Sequence, residues 1–274
     1  MPARHAETSP LPSALRILLP LADRKKPGGR DGTCCDHKRL AARLAYKTIG
    51  APRRAALDGF QKAMASGSDA LKVLGLQGAA FREAYAVNRA LERCNLATAL
   101  ERNNGAFADT LEPAALPPAA KTRLERAVLF VCPLLGVLAA DDPIPDYRCP
   151  EGAKLPGIGS LHRHWKPEVT KLLNRLLKRK RVLSFLPTRL SALWAPDGGA
   201  SEIVCVRFAR YGGDRLTGET AATPGLVGEA VRYVIEKEVA RPSELARFKS
   251  SLGHTYSAAH SETVGRLTVM RFVR

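Results

Sequence analysis

Apolar and polar positions along this chain repeat with two different periods, and the change from one to the other marks out the elements. Short runs rich in branched and aromatic residues, Ile17–Pro20, Val128–Cys132, Val182–Leu186, Ile203–Phe208 and Leu267–Phe272, read as buried strands. Between them the apolar residues recur every three or four positions, which predicts helices. These cover Arg39–Lys47, Arg53–Ala65, Ala79–Leu91, Pro117–Arg126, Pro167–Arg179, Gly225–Glu238 and Pro242–Lys249. Strands separated by helices imply an α/β fold, a mixed β-sheet flanked by helices on both faces. The almost wholly helical block at about 53–124 predicts a helical lobe beside that sheet. Residues 1–15, rich in Pro, Ala and Ser, read as a disordered arm, and 16–274 as a single domain.

Charge sharpens this picture. The chain of 274 residues is 45% apolar, enough for a substantial core, and carries a formal net charge of +17. Such an imbalance costs self-repulsion and points to a polyanionic or acidic partner. Between Pro167 and Arg181, Val169, Leu172, Leu173, Leu176 and Leu177 form a docked apolar face, and Lys171, Arg175 and Lys178 line the opposite one. Arg179, Lys180 and Arg181 extend the positive charge past the helix end. The stripe is a candidate phosphate-binding surface, with a solvated helix face as the alternative reading.

The junction Val128–Arg148 concentrates candidate chemistry. An apolar strand passes through Gly136 into Asp141 and Asp142, which are followed by Pro143, Pro145, Tyr147 and Arg148. The two prolines fix φ and keep the residues before them out of helix, so the cluster belongs to a stiff loop. With Lys25, from the loop after the first strand, these residues define a candidate catalytic set: Lys25, Cys132, Asp142, Tyr147 and Arg148. Lys25 and Arg148 are suited to clamp a carboxylate or phosphate. Asp142 is suited to act as base or orienter, and Tyr147 as donor or acid. Cys132 is either a core thiol or a nucleophile activated by a neighbouring cation. An ion pair of Asp142 with Arg148 that only braces the loop is the alternative.

The same residues carry a resemblance. Cys132, Gly136, Asp142, Ile144, Tyr147 and Arg148 occupy the places of an Asp-x-Ile-x-x-Tyr-Arg signature behind a strand and a Gly-Val/Leu turn, as in the YaaA-like peroxide stress proteins. ILLPLADRKKPGG (Ile17–Gly29) resembles that family's opening strand, with Lys25 in its lysine position. The likeness continues through NRAL (Asn88–Leu91), ALERNNGAF (Ala99–Phe107), LPGIGSLHRHW (Leu155–Trp165) and ARPSELARF (Ala240–Phe248). Asn88 and Arg89 thereby join the candidates as ligand-binding residues. The resemblance implies a YaaA-like α/β fold, DNA binding and protection from peroxide and free-iron damage. This chain departs from the pattern at Ala22, Asn103, Ala108, Arg189-Leu190 and Thr220–Gly225.

Two glycine turns resemble the helix-hairpin-helix that offers backbone N–H groups to a phosphate: VLGLQGAAF (Val73–Phe81) and LPGIGS (Leu155–Ser160). GDRLTGET (Gly213–Thr220) has phosphate-loop glycine spacing, but Glu219 stands where a lysine belongs, and it reads as a flexible insertion. KKPGGRDG (Lys25–Gly32) lacks dinucleotide spacing yet could line an anion pocket. Cys34, Cys35, Asp36 and His37, with His162 and His164, offer ligand types, but adjacent residues cannot all face one ion, so no metal site and no cofactor are expected. Six cysteines without a signal peptide suggest a reduced, cytoplasmic setting, and no segment approaches the roughly 20 apolar residues of a membrane span. Two functions remain open. One is a stress-response protein binding nucleic acid, duplex DNA first, through backbone phosphates. The other is an enzyme of specialised metabolism whose basic pocket holds an anionic or nucleotide-linked small molecule.

Overall fold

The computed structural model describes residues 15–30, 37–212, 215–220 and 223–274. In chain order the elements are β1 (Leu15–Pro20), α1 (His37–Arg43), α2 (Gly50–Ala65), α3 (Gly67–Leu74), α4 (Gly78–Arg89), β2 (Ala97–Thr98), α5 (Ala99–Arg102), α6 (Ala106–Leu111) and α7 (Pro118–Ala127). There follow β3 (Val128–Cys132), β4 (Gly136–Ala139), β5 (Pro143–Ile144), β6 (Lys154–Leu155), β7 (Gly159–Ser160), α8 (Leu161–Leu176), β8 (Arg181–Ser184) and α9 (Thr188–Ser191). The last part holds β9 (Glu202–Gly212), β10 (Arg215–Thr220), α10 (Pro224–Glu236), β11 (Thr255–Tyr256), β12 (Glu262–Val264) and β13 (Leu267–Val273).

The main sheet has nine strands, in the order β11-β13-β9-β8-β1-β3-β4, with β10 added to β9 and β12 to β13. Five neighbours, β13, β9, β8, β1 and β3, run parallel, and β4, β10, β11 and β12 add antiparallel edges. The sheet is therefore mixed and flanked by helices, an α/β fold. Its central strands are apolar on both faces, as a covered parallel sheet requires: Ile17, Leu18, Leu19, Phe130, Val182 and Leu183 are all fully buried. In the helical block, α2 packs on α1, α3, α4 and α8. α6 crosses α10 so closely that a Cβ at Gly228 would run into Thr110 Oγ1 and the Phe107 carbonyl.

Several elements differ from the sequence reading, each for a physical reason. The helix expected from Pro167 starts six residues earlier at Leu161, where Ser160 caps it by accepting from Arg163 N, and Pro167 sits inside it. Its end at Leu176 leaves Lys178, Arg179 and Lys180 in the exit turn, with Arg179 at φ 60. The stretch Pro242–Arg247 forms a 3-10 helix. GDRLTGET is no loose insertion: β10 pairs antiparallel with β9, although residues 213 and 214 lie outside the described residues. LPGIGS is a β6–β7 ribbon rather than a helical hairpin, and its Ile158 packs against α2 at Gly59. The disordered arm expected at the start falls almost wholly, and Cys34, Cys35 and Asp36 wholly, outside the described residues, as does the His37 side chain.

Candidate functional site

The loop after β1 and the turn after β4 meet beneath the surface. Lys25 is 3% exposed, and its Nζ donates to the Ala22 carbonyl at 3.0 Å and to the Tyr147 carbonyl at 3.2 Å. That Nζ also lies 3.7 Å from the centre of the Tyr147 ring, a cation–π contact across 122 positions of sequence. Burial lowers the lysine pKa to about 8, against the pull of the Cys132 and Cys149 thiols. The Tyr147 hydroxyl donates to Cys132 Sγ at 3.4 Å, and burial raises both of their pKa values. The thiol therefore stays protonated despite the nearby ammonium. Lys25, Tyr147 and Cys132 form one polar knot closed off from solvent.

Asp142 stands apart from that knot. Its Oδ1 accepts from Ala45 N at 2.6 Å and its Oδ2 from Ala139 N at 2.8 Å, so each carboxylate oxygen ties a separate backbone segment. Burial pushes its pKa up, while those two N–H groups and the Arg53 charge pull it down. No ion pair joins Asp142 to Arg148; Arg148 pairs with Asp146 instead. Asn88 clamps the backbone of Arg148, its Nδ2 donating to the Arg148 carbonyl at 2.9 Å and its Oδ1 accepting from Arg148 N at 2.8 Å. Arg89 faces outward and reaches the Met64 carbonyl at 3.4 Å.

Above the knot lies a cavity of about 340 Å³ that brings three sequence regions together. Asp23 and Arg24 come from the lysine loop, Arg148 and Cys149 from the signature turn, and Leu74, Leu76, Ala80 and Glu83 from the first glycine hairpin. That hairpin is helical on both sides, α3 closing on Gly75 at φ 62 and α4 opening at Gly78 at φ 58. Gly75 to Ala80 are exposed, and the first amides of α4 lack intrahelical acceptors by helix geometry. Arg24 pairs with Glu83 across the rim.

The cationic stripe sits elsewhere. Lys171, Arg175, Lys178 and Arg179 are exposed, and Lys180 is half-buried. The Arg175 guanidinium donates to Thr48 Oγ1 at 3.0 Å. Stripe and hairpin share one support, since α8, α3 and α4 all pack on α2. Among the described residues no group of three His, Cys, Asp or Glu side chains is arranged to hold a metal, and His164 Nε2 is engaged with the Pro52 carbonyl at 3.0 Å. Nor is any helix among them long and apolar enough to cross a membrane.

Sequence reasoning passed over Arg53 and Arg102, both fully buried. Arg53 donates to the carbonyls of Leu135, Ala45 and Val137, and Arg102 to those of Ile144, Lys26 and Asn95. They hold the β4 turn and the lysine loop in place. Arg102 lies within the quoted ALERNNGAF stretch, which was the available signal; for Arg53 the sequence offers none.

The fold and this convergence define a mixed-sheet α/β protein with a polar knot under an arginine-rimmed hollow. The chain matches the family described as Peroxide stress protein YaaA over residues 17–260, and it belongs to that family. It is 29% identical over 255 residues to the UPF0246 protein SCO2297 of Streptomyces coelicolor, covering 91% of this chain and 95% of that protein. It is also 35% identical over 161 residues to the UPF0246 protein Cgl1995/cg2186 of Corynebacterium glutamicum, covering 57% of this chain and 61% of that one. A UPF0246 protein of Corynebacterium efficiens, CE1889, matches at the same identity over the same length.

Proposed function

We propose that this member of the YaaA family binds nucleic acid, with duplex DNA as the first candidate, through its phosphate backbone and without reading bases. The supporting observation is the exposed hairpin between α3 and α4, whose open amides stand beside Arg24 and Arg148 on the rim of one cavity. A helix N-terminus with free N–H groups favours a phosphate, and α4 at 12 residues is long enough to present one. Lys171, Arg175, Lys178 and Arg179 supply a second set of cations, and among the described residues none of the four is in an ion pair. In this reading Lys25, Cys132, Asp142, Tyr147 and Asn88 hold the signature turn in position and do not touch the ligand. The four free cysteines among the described residues fit a reducing, cytoplasmic setting.

The test is an amide NMR titration with a short duplex. The Gly75–Phe81 amides and the Lys171–Arg179 segment are expected to shift together and saturably, while the β9–β10 ribbon stays unmoved. Shifts confined to the ribbon, or spread evenly over every exposed cation, would reject the assignment.

A further inference from the structure

The sheet is wound in two directions, and the point of reversal falls between β1 and β8. The chain leaves β1 for β3 on one side and leaves β8 for β9 on the other, while β1 and β8 are paired neighbours. In open parallel sheets the crevice outside the carboxyl ends at such a point is where small ligands bind. Two cavities open there and share Glu151 as a common wall. One, of about 330 Å³, lies between the segment following β1, Asn103, Phe107, Pro187 and the start of α10. The other, of about 430 Å³, lies between Pro133, Trp165, Thr188 and Arg189.

Buried donors single out this crevice. Among the described residues four buried side-chain nitrogens lack an acceptor: Gln61 Nε2, Asn103 Nδ2, Arg123 Nε and Trp165 Nε1. Two of those four belong to wall residues here, one in each cavity. An unpaired buried donor is costly, and a ligand oxygen is the group that would satisfy it. Asn103 is 3% exposed and held in orientation, because its Oδ1 accepts from Ala22 N at 2.9 Å. Trp165 is fully buried against Gly136. The 13-residue α10 adds its positive end: among the described residues its bonding begins with Val227 N to the Thr223 carbonyl, and by helix geometry the Gly225 and Leu226 amides have no intrahelical acceptor. Arg189 adds a guanidinium beside Glu151. Every one of these groups asks for an acceptor, and Phe107, Pro187, Pro224 and Val227 give the first cavity apolar walls suited to a hydrocarbon linker.

We propose that the crevice binds a small dicarboxylate. One carboxylate is received by Asn103 Nδ2 and the first amides of α10, the other by Trp165 Nε1 and Arg189, and the linker crosses Glu151. Arg24 also lines the first cavity but is paired with Glu83, so the donors are neutral N–H groups and the Arg189 guanidinium, which suit delocalised carboxylates better than a phosphate dianion, for which lysines would be expected. Burial, reinforced by Asp23 and opposed by Arg189, pushes the Glu151 pKa up, which lessens its repulsion of an incoming anion. This crevice adjoins the hairpin cavity and shares Asp23 and Arg24 with it, but the proposal rests on Asn103, Trp165 and Arg189, so its failure would leave the nucleic-acid reading intact.

The experiment titrates the full-length protein with succinate, glutarate and adipate at constant ionic strength, read by calorimetry and by thermal unfolding. Acetate, inorganic phosphate and the neutral diamides serve as controls. A saturable rise in Tm is expected with at least one dicarboxylate, with acetate and phosphate at least tenfold weaker and the diamides silent. Asn103→Asp keeps the acceptor for Ala22 N–H and replaces only the unpaired amide, so it should weaken binding at least tenfold. Glu151→Gln should leave binding equal or tighter. Trp165→Phe, which keeps an aromatic ring against Gly136, should also weaken binding and serves if the Asn103 variant does not fold. No saturable response to any dicarboxylate, equal binding of a diamide or phosphate, or unchanged affinity in a folded Asn103 or Trp165 variant would overturn the proposal.

Discussion

Asp142 shows how a conspicuous acidic residue can serve the backbone. Its two oxygens join Ala45 N and Ala139 N, and it is a negative charge near Arg53, whose own pKa burial lowers. Asp142→Asn puts an amide donor against one of those N–H groups and leaves Arg53 without that charge. A loss of about 2–4 kcal/mol is expected in chemical denaturation. Lys25 makes a prediction in pH. Its folded pKa of about 8 lies below the ordinary 10.5, so between those values the unfolded chain binds more protons than the folded one. Raising pH through that window therefore stabilises the fold. Relative to Lys25→Met, the wild type should gain up to roughly 3 kcal/mol from pH 8 to 10.5, and a flat difference would contradict the buried, desolvated lysine. Lys25 and Tyr147 stand out in the sequence because they lie in recognisable motifs. Asn103, Glu151 and the carbonyl-binding arginines do not, because their roles depend on groups that only the tertiary fold brings near.

Elements with long, strong periodicity, such as α2, α4, α7 and α10, were readable in the sequence to within a few residues. Those that the sequence left hidden owe their form to neighbours. α3 occupies a Gly-Ser-Asp segment of weak helical preference, but Ser66 caps it and Ala70, Val73 and Leu74 are buried. α6 is six residues long and exists against α10. Pro167 misled the reading of α8, since proline is common at a helix start and here stands beyond the first turn. The close α6–α10 crossing gives a direct test of packing. Gly228→Ala would drive its methyl into Thr110 and the Phe107 carbonyl, and should cost about 2–3 kcal/mol with a matching fall in Tm. Wild-type stability in that variant would show that the two helices are not in register as described.

At the scale of the whole molecule, the +17 charge and the α/β class were plain from composition and pattern. The pairing of the lysine loop with the signature turn is an expectation of the sequence, whereas the place of the glycine hairpin on the same cavity needed coordinates, because it is widely separated from both in sequence. The fold also separates the cations into kinds. Arg24 and Arg148 are tied to Glu83 and Asp146, whereas Lys171 and Lys178 have no carboxylate partner among the described residues. Charge on the α8 stripe should therefore govern affinity, and the hairpin should govern where the phosphate sits. Duplex affinity measured against salt concentration tests this most directly. A protein contacting several phosphates should lose affinity with a logarithmic slope near 0.9 per phosphate neutralised, and Lys171→Glu with Lys178→Glu should lower that slope by about 2 without changing the fold. A wild-type affinity insensitive to salt, or an unaltered slope in the double variant, would contradict the account.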